Sequence, residues 1–524
     1  MANPLSNVFR FAKAALTLAR HNALLPPEQV VKLPWIARAC LRLAQIGAPV
    51  DAATAQSTRL TNALAALGPS YIKLGQFLST RPDVIGAARA FELKALQDRL
   101  PPFPMAEAKA MVLAELGQSV ESLFAEFGES VAAASVAQVH KATTPEGDVV
   151  AVKILRPNIE RRFAADIDSF AFAARLMERA SAAGRRLRPV AAVAMLETSM
   201  KLELDLRMEA SALAEMAENT KDDAGFRLPK VDWARTAKRV LTTEWIDGTP
   251  MADVETLRTR GLDLNKLADT IIQSFLRQAI RDGFFHADMH QGNLMVDGTG
   301  NLVALDLGIM GRLSDKDKMF LAEILYGFIV RDYRRVAQVH FDAGYVPPHQ
   351  SVENFAQALR AIGEPIMDLP AEKISMARLL TQLFEVTEQF DMEAQPQLLL
   401  LQKTMVVVEG VARSLNPHLN MWVAAEPVVR AWIERKLGPL GKVEQAASAA
   451  ASLGRAALQL PDMLDEAKRA TRMLADMAGG GGLKLDSATA HEMARAQMGQ
   501  RRWQSAALYA GAAALVVIAW KLVV

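Results

Sequence analysis

The spacing of apolar residues divides the chain into a helical first part, a β-rich middle and a long helical remainder. From Thr54 to about Phe127, apolar residues recur at helical spacing until the proline-rich stretch 101–104. From Gly128 the pattern changes to the alternation typical of strands, and a turn at 144–148 leads into the near-continuous apolar strand Val149–Leu155. Helical spacing then returns. The pattern therefore predicts an α+β fold whose main sheet forms early in the chain.

The second half of the pattern is mostly helical. Residues 160–220 are predicted to be helices, the second running from about Val190 to Asn219, and 239–248 is predicted to be a strand that ends in a turn. A strongly apolar helix is predicted at Leu264–Asp282, and helices continue from Gly308 to about Leu437.

One residue inside the apolar strand is a lysine. Lys153 follows Val-Ala-Val, and a lysine in such a strand is expensive to bury unless it meets anions. Val-Ala-Val-Lys is the pattern of the strand lysine that holds the α- and β-phosphates in protein kinases. A kinase also needs a helix glutamate to pair with this lysine, and the candidates are Glu203 and Glu209. On one straight helix these two cannot point the same way, so only one can serve.

Two later apolar strands each deliver an aspartate to a loop. The run Phe284–His286 leads to Asp288, with Asn293 at Asp-x-x-x-x-Asn spacing, and Leu302–Leu305 leads to Asp306-Leu-Gly. Phosphoryl transfer uses one carboxylate to orient the attacking hydroxyl, and an amide oxygen and a second carboxylate to hold Mg²⁺ against the nucleotide. We therefore predict that Asp288 is the catalytic base, that Asn293 and Asp306 are metal ligands, and that the cofactors are ATP (or ADP) and Mg²⁺.

A rival interpretation of the same loop is a metal triad. His286, Asp288 and His290 alternate, so on an extended segment they would share one face. This reading leaves Asn293 and Asp306 unexplained.

The predicted phosphate loop is unusual because it is rich in alanine. A kinase places a glycine-rich loop just before the lysine strand, and here the predicted cofactor-binding residues are Ala132, Ala133, Ala134, Ser135 and Val136. Methyl groups restrict φ and limit how closely the backbone approaches phosphate, which predicts a narrowed or altered ATP site. The strand at 239–248, with Glu244, corresponds to the inter-lobe hinge whose backbone contacts adenine.

Composition and charge exclude several classes of protein and suggest contact with a membrane. The net charge of +2 does not mark a nucleic-acid binder, and the only cysteine, Cys40, excludes an internal disulfide framework. The first fifty residues carry several cations against one acid, Glu28, which favours an amphipathic helix on an anionic membrane; the alternative is a solvated helix face. At the other end, 505–524 carries one charge, Lys521, and follows Arg501-Arg502, which predicts a transmembrane helix that starts in the cytoplasm.

Taken together, these motifs resemble the UbiB family of atypical kinase-like proteins, which is linked to ubiquinone (coenzyme Q) biosynthesis. The resemblance covers roughly Ala65–Gly311. It rests on Lys73-Leu-Gly-Gln76, the alanine-rich loop, Glu203-Leu-Asp205, His286-Ala-Asp288 to Asn293, and Asp306-Leu-Gly308.

The resemblance assigns roles that spacing alone left open. It implies that Lys153 contacts phosphates and that Glu209 pairs with it. It implies further that Lys73 and Gln76 fold over the active site as regulatory residues, with Glu203 and Asp205 facing them, so that ordinary protein substrates are shut out.

The predicted fold class is α+β: a two-lobed protein-kinase-like fold with an N-terminal helical extension and a C-terminal transmembrane helix. The predicted boundaries are a basic amphipathic segment 1–60, a helical extension 61–127, an N-lobe 128–250, a helical C-lobe 251–437, a helical and flexible linker 438–500, and a membrane anchor 501–524. The predicted location is the bacterial inner membrane with the catalytic domain in the cytoplasm. The predicted partners are anionic lipids and the enzymes or lipid precursors of ubiquinone biosynthesis.

Three functions follow from these features. The first is a membrane-associated ATP-dependent kinase or ATPase that supports ubiquinone biosynthesis. The second is a nucleotide-gated organiser of lipid precursors or biosynthetic enzymes that performs no catalysis. The third is a small-molecule kinase, because His-x-Asp-x-His-x-x-Asn also resembles the loop of aminoglycoside and choline kinases. A hydroxylase is the weakest reading, because the chain opens with no dinucleotide fingerprint and offers no separate iron triad.

Overall fold

The structure is a computed structural model that describes most of the chain up to residue 437. The described residues are 4–21, 23, 56–79, 92–93, 96, 100–180, 188–367, 382, 385–386, 389–392 and 396–437. The chain divides into two compact units, Met1–Glu434 and Arg435–Val524.

The N-terminal extension is helical and packs against a later helix. Its first helices are α1 (Pro4–Arg20), α2 (Gln56–Leu67) and α3 (Pro69–Ser79). Arg10 of α1 forms an ion pair with Asp166, at 2.9 Å. Gly75 lies where α3 crosses its neighbours, since a Cβ at this position would come within 2.7 Å of the side chains of Leu64 and Leu96. The glycine of the Lys-x-Gly-Gln motif therefore allows close packing.

The first sheet follows two covering helices and is antiparallel. The elements are α4 (Met105–Leu116), α5 (Val120–Leu123), β1 (Glu126–Ala133), β2 (Ala137–Thr143) and β3 (Val149–Leu155). Strands β1, β2 and β3 form a sheet with the later strand β5 (Val240–Glu244), in the order β1-β2-β3-β5. Alternate residues of β3, including Val152 and Ile154, are fully buried under α4 and α5, while Lys153 faces the other way.

Between β3 and β5 the described residues include three α-helices, and one break among them was not predicted. They are α6 (Ile159–Ala180), α7 (Pro189–Glu203) and α8 (Leu206–Asn219), followed by the short strand β4 (Phe226–Arg227). The helix predicted from about Val190 to Asn219 is therefore wrong in its continuity. The chain leaves the helix at Leu204–Asp205, and the Asp205 carboxylate caps α8 by accepting from the Arg207 N–H at 3.2 Å.

The remaining elements form the larger lobe. They are β6 (Gly248–Pro250), α9 (Val254–Thr259), α10 (Leu264–Leu276) with a π-helical continuation Arg277–Asp282, β7 (Phe284–His286), β8 (Leu294–Asp297), β9 (Leu302–Ala304), β10 (Met310–Arg312), α11 (Asp315–Ile329), α12 (Tyr333–Asp342), α13 (Val352–Met367), α14 (Pro396–Leu415) and α15 (Met421–Leu437). The predicted apolar helix Leu264–Asp282 is thus present, with a π-helical last turn.

Two small sheets carry the loops of interest. Strands β4, β9, β8 and β6 pair in that order, and β7 pairs with β10. Helix α10 and the strands pack into one apolar core with α8, α11, α14 and α15. A second small core holds Tyr333, Phe355 and Phe390.

The fold class needs one correction, at its membrane segment. In the part of the chain that the structure describes, no helix is long and apolar enough to cross a bilayer. The helix predicted at 501–524 lies outside the described residues, as do most of segment 1–60 and all of 438–500. The transmembrane helix is therefore withdrawn from the fold class, while the kinase-like arrangement of a sheet-containing lobe and a helical lobe stands.

Candidate active site

Three charged side chains from distant parts of the sequence meet between the two lobes. Lys153 of β3 lies 2.8 and 2.9 Å from the two carboxylate oxygens of Glu209 on α8. Its Nζ also lies 2.9 Å from Asp306 Oδ2. Glu209 is buried, with 7% of its side chain exposed, whereas 45% of the Asp306 side chain is exposed. Asp306 is therefore the member of this charged triad that a ligand can reach.

The charges in the triad shift one another's protonation. Burial lowers the pKa of Lys153, but the carboxylates of Asp306 and Glu209 outweigh burial and raise it, so the ammonium stays charged. Burial raises the pKa of Asp306, but the charge of Lys153, the Gly308 N–H and the charge of Lys73 together lower it. Burial and the nearby Asp306 charge raise the pKa of Glu209 to about 7, against the opposing pull of Lys153.

This shift makes a prediction about stability and pH in the nucleotide-free protein. Because the pKa of Glu209 is raised in the folded state, folding favours its protonated form, so its contribution to stability declines as pH rises from about 4.5 to about 7. The decline is at most about 1.4 kcal/mol per pH unit for one proton. Urea unfolding at several pH values tests this, with Glu209→Gln as the control that loses the dependence. Parallel curves for the two proteins would contradict the prediction.

The break between α7 and α8 explains how two acids of one predicted helix reach the same cleft. Glu209 on α8 meets Lys153, while Glu203 at the end of α7 meets Lys73 of α3 at 2.8 Å. Both partners of this second pair are nearly buried, with side chains 13% and 12% exposed. The charge of Lys73 is close enough to lower the pKa of Asp306. The extension therefore brings a cation to the edge of the triad.

The other two predicted regulatory residues, Asp205 and Gln76, form different hydrogen bonds. The Asp205 carboxylate caps α8 and pairs with the Arg207 guanidinium at 2.7 Å. Gln76 lies on α3 and is half-buried, and its carbonyl accepts from the Ser79 hydroxyl at 2.6 Å. Glu203 therefore pairs with Lys73, whereas the Asp205 carboxylate bonds within the first turn of α8, and its role toward Lys73 and Gln76 stays a prediction.

The loop 287–293, which the sequence predicts to be catalytic, presents Asp288 and Asn293 side by side. The Asn293 Nδ2 donates to the Asp288 carbonyl oxygen at 3.1 Å, which leaves the Asn293 Oδ1 as the acceptor for a metal. The Asp288 carboxylate is 30% exposed and lies 3.6 Å from His290 Nε2. The His290 Nδ1 accepts from the Gly292 N–H at 3.0 Å and shapes the turn that carries Asn293.

Main-chain bonds fix the catalytic loop to the loop of Asp306. The Leu305 N–H donates to the Asn293 carbonyl at 2.9 Å, and the Ala287 N–H donates to the Ile309 carbonyl at 3.0 Å. These bonds hold the two predicted metal ligands in register.

A further contact to this loop comes from α14 and was not predicted. The Thr404 hydroxyl donates to the Ala287 carbonyl at 3.0 Å in a buried position. Nothing in the local sequence of α14 signals this contact, because Thr404 lies more than a hundred residues away in an apolar helix.

The rival metal triad has little support. His286 is buried, its Nδ1 accepts from the Asp288 N–H at 3.3 Å, and burial lowers its pKa despite the nearby charges of Asp288 and Asp306. Among the described residues, no three His, Cys, Asp or Glu side chains are arranged to hold a metal. Asn293 and Asp306 offer two oxygens, which fits Mg²⁺, because Mg²⁺ takes few protein ligands and completes its shell with water and phosphate.

The alanine-rich turn is closed by its own hydrogen bonds. The Ala134 N–H donates to the Ala137 carbonyl at 2.8 Å. Ser135 is fully buried and Val136 is 8% exposed, while Ala132 is exposed and Ala133 and Ala134 are half-buried. Of the predicted phosphate contacts, the three alanines are therefore accessible, and Ser135 and Val136 are not.

The hinge residue Glu244 is held by neighbours on both sides. Its N–H donates to the Lys230 carbonyl at 2.8 Å, so any adenine contact at Glu244 falls to its carbonyl oxygen. Its carboxylate pairs with Arg227 at 3.0 Å, and Arg227 also reaches Asp297 of β8 at 2.7 Å. Arg227 thereby ties the hinge to the sheet of the larger lobe.

Comparisons with known proteins relate this chain to atypical kinase-like proteins. The family model of the ABC1 atypical kinase-like domain matches residues 95–340, and that of the UbiB helical domain matches 359–420. Proteins named "Probable protein kinase UbiB" are 41% identical in Marinobacter nauticus, over 78% of this chain and 76% of that protein, and 42% identical in Pseudomonas aeruginosa, over 73% of each chain. A solved complex of Rv3197 with erythromycin from Mycobacterium tuberculosis has the same fold, with a TM-score of 0.50 and 24% identity over 75% of this chain and 98% of that one.

Proposed function

Because this chain belongs to the UbiB family of atypical kinase-like proteins, we propose that it is an ATP-dependent kinase or ATPase that supports ubiquinone biosynthesis at a bacterial inner membrane. The observation that carries the proposal is the charged triad of Lys153, Glu209 and Asp306, with Asn293 held beside it by backbone bonds. These are the four side chains that position and neutralise a nucleoside triphosphate in a kinase.

Each side chain has a distinct task. Glu209 holds the Lys153 ammonium in place, and Lys153 neutralises phosphate oxygens. Asn293 and Asp306 supply the ligands for Mg²⁺, which when bound neutralises charge on the phosphates. Asp288, whose side chain is partly exposed, accepts the proton of the attacking hydroxyl or water.

The turnover of ATP by the full chain tests the proposal. Release of phosphate is measured with Mg²⁺, with and without anionic vesicles and a phenolic mimic of a ubiquinone precursor. We expect turnover that requires Mg²⁺ and rises with vesicles or phenol. Absence of turnover under every condition would contradict the enzymatic proposal.

The alternative is a nucleotide-gated organiser that binds ATP without turning it over. It is favoured by the closed alanine-rich turn, in which Ser135 is fully buried, and by the Lys73–Glu203 pair at the edge of the cleft. Asp288→Asn separates the two. For an enzyme, this variant binds ATP normally but loses turnover by roughly a hundredfold or more. For an organiser, it leaves both nucleotide binding and cellular function unchanged.

We further propose that α1 meets an anionic membrane surface. Its packing on α6 uses Arg10, while Lys13, Leu16 and Arg20 are exposed at helical spacing on one face. Two cations flanking an exposed leucine suit an anionic interface.

Reversal of these two charges is expected to weaken vesicle binding. Each basic residue near the surface contributes about 1 kcal/mol, so Lys13→Glu with Arg20→Glu lowers the partition coefficient by roughly thirtyfold or more. Sedimentation with phosphatidylglycerol vesicles measures this. The matched control is Lys221→Glu with Lys266→Glu, which reverses two exposed lysines on other elements. Equal losses in both double variants would show a non-specific charge effect and contradict the proposal.

A further inference from the structure

A short extended segment of the N-terminal extension lies against the hairpin that carries the alanine-rich turn. This segment is Leu100–Pro104, which contains the proline-rich stretch and immediately precedes α4. The fully buried Gln138 of β2 binds its backbone twice: Gln138 Oε1 accepts from the Phe103 N–H at 2.8 Å, and Nε2 donates to the Phe103 carbonyl at 3.3 Å. The segment is therefore fixed to the base of the hairpin.

A second residue joins the same segment to the turn itself. The Arg156 guanidinium donates from Nε to the Ala134 carbonyl at 2.9 Å, and from a terminal nitrogen to the Pro101 carbonyl at 2.8 Å. It also lies over the Phe103 ring, 5.7 Å from its centre. One rigid planar group thus holds a carbonyl of the turn and a carbonyl of the extension at a fixed separation.

Arg156 also binds the far side of the turn through its main chain. Its N–H donates to the Val136 carbonyl at 2.8 Å, so that Arg156 fixes both carbonyls that flank Ser135. Arg156 lies on the same chain segment as Lys153, just beyond the end of β3. The triad lysine and the turn are therefore positioned by neighbouring residues of one segment.

We propose that Arg156 is a positioning residue that couples the N-terminal extension to the nucleotide turn. In a glycine-rich loop the turn moves freely over the phosphates, whereas here its position follows that of Leu100–Pro104 through one guanidinium. Movement of the extension then opens or closes the turn and sets the rate at which nucleotide leaves. This inference rests on the proposed nucleotide site, but its structural half can be measured without nucleotide.

Hydrogen exchange of the full chain tests the coupling. In Arg156→Gln, the amides of the turn at 134–136 and of residue 156 should exchange roughly tenfold faster, because a charge-assisted hydrogen bond to the turn has been lost. The amides of Leu100 and Phe103, the two residues of the segment that are not proline, should also exchange faster, because the bond to Pro101 has been lost. Arg156→Lys keeps the charge but lacks the planar guanidinium, so its exchange rates should lie between those of the unaltered protein and those of Arg156→Gln. The control Arg161→Gln removes an exposed arginine of α6 and should change neither segment.

A second variant keeps the test decisive if Arg156→Gln folds poorly. Gln138→Leu releases Phe103 from the hairpin while leaving Arg156 in place. Because the turn follows the segment through Arg156, this variant should accelerate exchange at Phe103 and, to a smaller extent, at the turn 134–136. An unchanged turn in Gln138→Leu despite faster exchange at Phe103, or an unchanged turn in Arg156→Gln, would overturn the assignment of the coupling to Arg156.

Nucleotide kinetics provide the functional readout. Dissociation of a fluorescent ADP analogue should be roughly tenfold faster from Arg156→Gln, partly rescued in Arg156→Lys and unchanged in Arg161→Gln. Unchanged dissociation alongside faster exchange of the turn would overturn the gating role. If the unaltered protein binds no nucleotide at all, the proposed function fails, and hydrogen exchange still decides whether Arg156 couples the two segments.

Discussion

Asp306→Asn is expected to lower ATP turnover by roughly a thousandfold, a loss at the upper end of those found when one preorganised electrostatic group is removed. Asp306 is the exposed member of the triad, and it uses Oδ2 for Lys153 and Oδ1 for the Gly308 N–H. An amide of the same shape carries no charge for a metal and places an N–H₂ group against one of those two donors. The variant therefore loses the charged carboxylate ligand for the metal and one of the two hydrogen bonds that orient this side chain.

The control for this experiment is Asp222→Asn, which changes an exposed carboxylate outside the cleft in the same way. It should retain full turnover. Retention of more than about a tenth of the turnover by Asp306→Asn would mean that the metal is held elsewhere, and the assignment of Asp306 would be wrong.

Lys153→Met is expected to lower the free energy of unfolding by about 3 kcal/mol and to abolish nucleotide binding. Removing one partner from a buried ion pair leaves the other charge without compensation, and Glu209 is 7% exposed. Asp306 contributes less to this loss because 45% of its side chain is exposed, against 7% for Glu209. Glu209 relieves part of the penalty by taking up a proton, since the pKa of this carboxyl is already raised.

Glu209→Gln is the matched variant. It keeps the size and the hydrogen-bond acceptor, and the Lys153 ammonium keeps Asp306 as its partner. Its loss of stability should be about 1 kcal/mol or less. Urea unfolding at pH 7.5 measures both proteins. Equal losses in the two variants would show that the triad acts through packing rather than through charge.

The sequence singled out the polar residues that lie in and beside the cleft because these residues belong to short local motifs. Lys153 lies in an apolar strand, and Asp288, Asn293 and Asp306 follow apolar strands at fixed spacing, so their loops are defined by neighbouring residues. The pairing of Lys153 with Glu209 was implied by the family resemblance and is present in the structure.

Other features depend on long-range contacts and could not be predicted. The Thr404 bond to Ala287 and the Arg156 bond to Pro101 join segments that are far apart in sequence. The break at Leu204–Asp205 did leave a signal: an aspartate ahead of an apolar-periodic run is typical of a helix N-cap. That signal was outweighed by the helical spacing on either side, and so the prediction joined two helices into one.

The proposed nucleotide site differs from that of an ordinary kinase mainly in its alanine-rich turn. Ala132 is exposed, Ala133 and Ala134 are half-buried, and the buried residues Ser135 and Val136 complete the turn. The sequence predicted a narrowed site from the methyl groups alone. The structure adds that Arg156 bonds the turn to the N-terminal extension, through the carbonyls of Ala134 and Pro101.

The central claim is that the cleft binds ATP through Mg²⁺ held by Asn293 and Asp306. Isothermal titration of ATP into the full chain, with and without Mg²⁺, tests it most directly, with Asp306→Asn measured in parallel. The account predicts binding that requires Mg²⁺ and that weakens by roughly a hundredfold in Asp306→Asn, or about 2.7 kcal/mol. Binding of equal strength with and without Mg²⁺, or in both proteins, would contradict it.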